Sequence, residues 1–90
     1  MTGTGRIDRI AVIRNRLGQA LEPRVLEIAD ESHLHAGHAG ARDGRGHFHI
    51  RIATDRFDGL APVARHRLIY EALGDLLTTD IHAVRISIED

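Results

Sequence analysis

His47-Phe-His-Ile-Arg-Ile-Ala53 is the stretch that decides the fold, because apolar and polar side chains alternate along its whole length. A period of two residues is typical of a β-strand with one face buried and the other in water. The sequence predicts that the large apolar side chains face the core and that the polar ones, His47, His49 and Arg51, face water. Another layer of structure must then cover the apolar face of this strand.

Upstream of this strand, the pattern predicts a helix and a second strand. Apolar residues from Ile7 to Leu21 recur every three or four positions, which is the period of an amphipathic helix, and Pro23 ends it. Arg24 to Asp30 alternates and is predicted to pair with the strand at 47–53. The joining segment, 31–46, has no period and contains four glycines. At sixteen residues it is longer than most structureless loops, which favours a functional role.

Downstream, a turn at Phe57–Leu60 leads into a helix from Pro62 to about Leu73, which Gly74 can cap. A short helix over 75–80 and a strand from Val84 to the C-terminus follow. The element order is α-β-β-α-α-β, which predicts an α+β fold with a three-stranded sheet and helices on one face. The residues predicted to face those helices are Leu26, Ile28, Phe48, Ile50, Ile52, Val84, Ile86 and Ile88.

Composition limits the class of protein. Ninety residues, 42% of them hydrophobic, predict a single domain over 1–90, with 1–5 a disordered tail. The absence of cysteine excludes a disulfide framework or a thiolate metal site within this chain and predicts a cytoplasmic protein. No stretch is long and apolar enough to predict a membrane span. A net charge of −1 argues against nucleic-acid binding through a global positive field.

Histidine is the residue type that could carry chemistry. The chain has seven histidines, and five fall between His33 and His49, where imidazoles could bind a transition metal. Polar loops and solvent-exposed strand faces also tolerate histidine. For each of these five residues, a purely structural role is therefore about as well supported as a role in metal binding. His82 stands alone after the short helix, where a helix C-terminus favours a cation. No G-x-S-x-G or H-E-x-x-H motif is present, and the chain is predicted not to be an enzyme.

Five segments in this order and spacing resemble the BolA family, over about residues 7–88: Asp30-Glu-Ser-His-Leu-His-Ala-Gly-His-Ala-Gly40, His47-Phe-His-Ile-Arg51, Arg56-Phe-Asp-Gly59, Arg65-His-Arg-Leu-Ile-Tyr70 and Ile81-His-Ala83. The resemblance implies a class II KH-like fold. It also implies a partner, a monothiol glutaredoxin, with which such proteins form heterodimers that share a [2Fe-2S] cluster. The implied role lies in iron-sulfur maturation and trafficking or in iron-linked regulation.

The resemblance also implies the ligands of this cluster. His82 is the principal ligand of this chain, and His35 is the second when the segments are aligned from Asp30 without gaps. His38 is the reserve candidate, because the length of this loop varies in the family. Two imidazoles can hold one iron as in a Rieske centre, while the glutaredoxin and glutathione supply thiolates. The chain alone is expected to bind no cluster.

The family is also described as including DNA-binding transcriptional regulators of morphology and stress response. For that alternative the segment around Arg65, His66 and Arg67 would contact nucleic acid, and Arg67 projects furthest from the apolar stripe of its helix. Gly37-His-Ala-Gly40 has the G-x-x-G shape of a KH clamp, but it lies between two strands rather than two helices. A third interpretation is a metal-binding or structural module that acts alone. The free protein is expected to be a monomer or a weak homodimer.

Overall fold

The computed structural model describes residues 8–32 and 46–89. Within them the elements follow the predicted order, with these bounds: α1 Arg9–Leu21, β1 Val25–Asp30, β2 Gly46–Ala53, a 3-10 turn Asp55–Phe57, α2 Pro62–Leu73, α3 Leu76–Thr79 and β3 Ile81–Ile88. The predicted tail, 1–5, lies outside the described residues. So does most of the joining segment, including His33, His35, His38 and the G-x-x-G sequence.

Strand β2 is the centre of a three-stranded sheet with the order β1-β2-β3. It pairs with β1, as the sequence predicts, in the antiparallel sense, and Ile28 lies opposite Ile50. Its other neighbour is β3, which runs parallel to it, and there Ile50 lies opposite Ile86. Parallel neighbours need a long connection, which α2 and α3 provide. The end of β1 and the starts of β2 and β3 therefore lie at the same end of the sheet.

The helices cover one face of this sheet, which confirms the predicted α+β architecture. The inward side chains of β2 are at most 1% exposed. Those of the two outer strands, apart from the buried Ile81, are half-buried: Leu26, Ile28, Val84, Ile86 and Ile88. One cluster forms the core of the described residues: Ile13, Leu17, Leu21, Phe48, Ile50, Ile52, Phe57, Ile69, Leu73, Leu76 and Ile81. Burial of this cluster is the main stabilising contribution to the fold.

Local chemistry sets the helix ends. The Asp8 carboxylate accepts a hydrogen bond of 3.1 Å from the backbone N–H of Ala11, so α1 begins after Asp8, two residues later than the apolar pattern predicts. At its other end Glu22 adopts a left-handed conformation, with φ of 48°, before Pro23 turns the chain towards β1. Gly74 ends α2 with φ of 52°, and its N–H donates to the carbonyl of Tyr70 at 2.9 Å. The glycine cap is thus present, but its ψ of −126° differs from the left-handed cap that the sequence predicts.

Three sequence predictions in the C-terminal half are wrong in detail. Strand β3 begins at Ile81 rather than Val84, because Ile81 is buried in the core and lies opposite Gly46. The preceding helix is correspondingly shorter than 75–80 and ends at Thr79. Helical spacing predicts that Pro62 shares one apolar stripe with Ile69 and Leu73, but Pro62 is exposed because it starts the helix, ahead of those two buried residues.

Gly46 is predicted to be essential for packing at the start of β2. A Cβ atom at this position would lie 2.6 Å from Cε2 of Phe48, a ring that is 1% exposed and cannot move aside. We expect Gly46→Ala to lower the free energy of unfolding by about 1–3 kcal/mol, the usual cost of overpacking. Urea denaturation followed by circular dichroism measures the change.

Gly18→Ala is the matched control, because a Cβ atom there meets nothing within 4 Å and Gly18 lies inside α1. This change should raise the free energy of unfolding by about 0.5–1 kcal/mol, since alanine is the better helix former. If both alanines stabilised the protein equally, the proposed contact between Gly46 and Phe48 would be wrong.

Candidate metal centre and the exposed face of helix α2

His82 is placed by an irregularity in strand β3. Gly46 pairs with Ile81 and the next residue, His47, pairs with Ala83, so His82 is an extra residue inserted into β3 between these two paired positions. Such a bulge bends a strand and redirects a side chain, and bulges are common beside functional sites. The side chain of His82 is exposed. It lies in a strand and not just after a helix, which corrects the sequence interpretation of its position.

His47 lies directly beside His82. The centroids of the two imidazole rings are 5.1 Å apart, and the ring planes are tilted by 48°. His47 is only 9% exposed, so the prediction that it lies on a wet strand face is wrong. The reason is that the end of β1 and the bulge of β3 both close around the start of β2. His49, two residues further on, is half-buried and shares a hydrogen bond of 2.8 Å with Oγ of Ser87.

The two described ends of the joining segment are fixed at this same place. Oγ of Ser32 accepts a hydrogen bond of 3.0 Å from the backbone N–H of His47, and the carbonyl of His47 accepts one of 2.7 Å from the N–H of Glu31. At the other end, the N–H of Gly46 donates to the carbonyl of Asp80 at 2.9 Å. We call the group formed by Ser32, Gly46, His47 and His82 the histidine corner.

Asp80 attaches the histidine corner to α1. Its Oδ1 lies 3.3 Å from Nε of Arg9, and its side chain is 17% exposed. The neighbouring hydroxyl of Thr79 donates to Oδ2 at 2.9 Å. Since Asp80 also holds Gly46 through its carbonyl, the two residues before His82 are restrained by a helix and by β2. The backbone that presents His82 is therefore well supported.

The histidine corner offers imidazole as its donor type. The nearby Glu31 carboxylate lines a small cavity with His47, but it forms an ion pair of 2.8 Å with Arg85. Among residues 8–32 and 46–89 there is no group of three or more His, Cys, Asp or Glu side chains that could hold a metal ion. The predicted ligands His35 and His38 lie outside these residues, so the structure leaves their position relative to His82 untested.

The predicted nucleic-acid residues lie on α2 but differ in exposure. Nε of Arg65 donates to the carbonyl of Leu60 at 2.9 Å, and Nδ1 of His66 donates to the carbonyl of Pro62 at 2.9 Å; both side chains are half-buried. Arg67 is exposed, which confirms its predicted accessibility.

Sequence reasoning missed two apolar side chains on the same exposed face of α2. Val63 is 72% exposed and Tyr70 is 42% exposed. Together with Arg67 and Glu71 they line an open groove of about 700 Å³. The signal was their spacing of seven residues, which puts them on one side of a helix. The sequence interpretation of this helix concerned Arg65, His66 and Arg67, which the family resemblance assigned to nucleic-acid contact.

No helix within the described part of the chain has the length and apolar character needed to cross a membrane.

Comparison with known proteins supports one family. The family model described as BolA-like protein matches residues 17–89. BolA-like protein 1 of Pongo abelii is 42% identical over 85 residues, which are 93% of this chain and 60% of that protein. The DNA-binding transcriptional regulator BolA of Vibrio cholerae is 39% identical over 75 residues, 83% of this chain and 68% of that protein. This chain therefore spans about three fifths to two thirds of the length of these relatives.

Solved structures agree with this result. The BolA domain of SufE1 from Arabidopsis thaliana superimposes with a TM-score of 0.79 and 41% sequence identity, and the alignment covers 94% of both chains. The three-stranded sheet with helices on one face is thus the fold of a known BolA domain. Since the family model, the relatives and the solved structure all agree, the chain belongs to the BolA family.

Proposed function

We propose that this chain is a non-enzymatic binding module that forms a heterodimer with a monothiol glutaredoxin and shares a [2Fe-2S] cluster with it. Its role is then in iron-sulfur maturation and trafficking or in iron-linked regulation. One observation carries the proposal: the bulge of β3 presents the exposed imidazole of His82 at the place where both ends of the 33–45 segment attach. That segment contains the candidate second ligands, His35 and His38.

The donor set of the chain fits a shared cluster. The sequence has no cysteine, so its contribution to an iron site would be imidazole, and His82 is accessible to another protein. A glutaredoxin and glutathione would supply the thiolates, as in centres where two histidines replace two cysteines on one iron. When bound, such a cluster supplies one-electron redox chemistry. The lack of cysteine also fits a reducing compartment such as the cytoplasm.

Chain length supports a second ligand from the 33–45 segment. Ser32 is held against the backbone of His47, whose ring neighbours His82. Three residues of chain span at most about 11 Å, so His35 stays within reach of the histidine corner. Six residues span at most about 22 Å, which allows His38 to reach it as well. His35 remains the first candidate, and His38 the reserve.

His82→Ala is expected to remove the visible absorption of the histidine-ligated cluster from a complex co-purified anaerobically with a monothiol glutaredoxin. The reason is that the substitution deletes one imidazole ligand and leaves the backbone of the bulge in place. His49→Ala is the matched control, because His49 lies on the same sheet and hydrogen-bonds to Ser87 rather than facing His82. An unchanged spectrum in His82→Ala, measured beside the control, would remove His82 from the site.

The loop ligand is tested by comparing His35→Ala with His38→Ala in the same complex. We expect His35→Ala to shift the absorption and circular dichroism bands of the cluster and His38→Ala to leave them unchanged, because only the lost ligand alters the iron. The reverse result would assign the ligand to His38 and refute the assignment to His35. Two unaltered spectra would contradict a ligand from either residue.

DNA binding is the second candidate function, and one observation favours it. Arg67 and Tyr70 are exposed on one face of α2, where a cation can contact phosphate and a ring can contact a base. A relative carries the name DNA-binding transcriptional regulator. Against this function stand the net charge of −1, the Glu71 carboxylate in the same groove, and the hydrogen bond from Arg65 to the carbonyl of Leu60.

Arg67→Glu separates the two functions. If α2 binds DNA, this charge reversal should abolish a salt-dependent gel shift, because a phosphate contact becomes a repulsion. The cluster spectrum of the glutaredoxin complex should not change. Arg14→Glu, an equal change of charge at an exposed position on α1, is the control. If Arg14→Glu weakened the gel shift as much as Arg67→Glu, DNA binding would not be located on α2.

A further inference from the structure

The contact between the rings of His47 and His82 joins a buried side chain to an exposed one. His82 is exposed and lies on a bulge. His47 is buried in the central strand of the sheet. The ring centroids are 5.1 Å apart, so the His47 ring sterically excludes the His82 ring from orientations that would overlap it. An exposed imidazole thus lies against a buried one.

The position of His47 is fixed from three directions. Its backbone N–H and carbonyl are hydrogen-bonded to Ser32 and Glu31 at the end of β1. On its other side, it pairs with Ala83 of β3. The next residue, Phe48, is among the largest fully buried side chains of the core. A shift of the His47 backbone would therefore require several strands to move.

We infer that His47 is a positioning residue for His82: its buried ring forms a wall that limits the orientations of the His82 imidazole before a partner binds. This inference rests on the proposed function, in which His82 is a ligand. A side chain ordered in advance loses less conformational freedom when it binds, so the benefit is tighter binding rather than an additional donor. The wall needs the bulk and plane of a ring and does not need a ring nitrogen.

Two substitutions distinguish a positioning role of His47 from a role as a metal ligand. His47→Phe keeps a planar ring and removes both nitrogens, whereas His47→Ala removes the ring altogether. If His47 positions His82, the phenylalanine variant should behave like the unsubstituted chain and the alanine variant should not. If His47 donated a nitrogen to a metal, both variants should fail equally. His49→Ala again serves as the control on the same strand.

The first measurement uses the free chain without glutaredoxin: the ¹³C-relaxation order parameter of the His82 ring. We expect it to fall in His47→Ala and to stay unchanged in His47→Phe and His49→Ala. Amide spectra and thermal unfolding identify any variant that fails to fold, and His47→Leu then replaces His47→Ala because it fills the site without a planar ring. An unchanged order parameter for His82 in the folded non-aromatic variant would overturn the inference.

The second measurement uses the glutaredoxin complex. Cluster loss to a chelator should be about two- to tenfold faster in His47→Ala, the range expected for ordering one flexible side chain on binding. His47→Phe should match the unsubstituted complex, and equal losses in both variants would refute the wall. Failure of the proposed function would give a different result. In that case His82→Ala would leave the cluster unaffected, while the relaxation data on the free chain would still report the contact between the two rings.

Discussion

The central position of β2 is the constraint on which the rest of the structure depends. This strand is hydrogen-bonded on both sides, antiparallel to β1 and parallel to β3. The antiparallel partner brings the end of β1 to the start of β2, and the parallel partner brings the start of β3 to the same end of the sheet. An antiparallel β3 would have placed His82 at the opposite end of the sheet, away from Ser32 and Gly46, where the 33–45 segment is attached. The histidine corner is thus a consequence of strand direction.

This corner combines a well-supported backbone with an exposed imidazole. Asp80, Gly46 and Ser32 fix the backbone around it, while the side chain of His82 is left accessible. The outer face of the sheet nearby carries ion pairs, such as those of Arg51 with Glu27 and Glu89. Exposed pairs of this kind contribute at most about 1 kcal/mol each to stability. They keep this face polar, whereas the apolar cluster under the helices holds the fold together.

The sequence predicted those features that depend on local periodicity. The alternation at 47–53 identified the inward residues of β2, and helical spacing identified Arg67 as exposed; both agree with the structure. It could not predict the bulge at His82, because the register between β2 and β3 depends on contacts between residues far apart in the chain. The burial of His47 follows from the same register. Composition alone could not distinguish His82 from the other histidines, and the family resemblance was needed to assign it a role.

The central claim is that imidazole nitrogens of this chain bind iron in a cluster shared with a glutaredoxin. The most direct measurement is electron-nuclear double resonance on the reduced complex, with ¹⁵N-histidine incorporated into this chain only. The account predicts hyperfine couplings from two ¹⁵N nuclei, one from His82 and one from the 33–45 segment. A spectrum with no ¹⁵N coupling from this chain would contradict it.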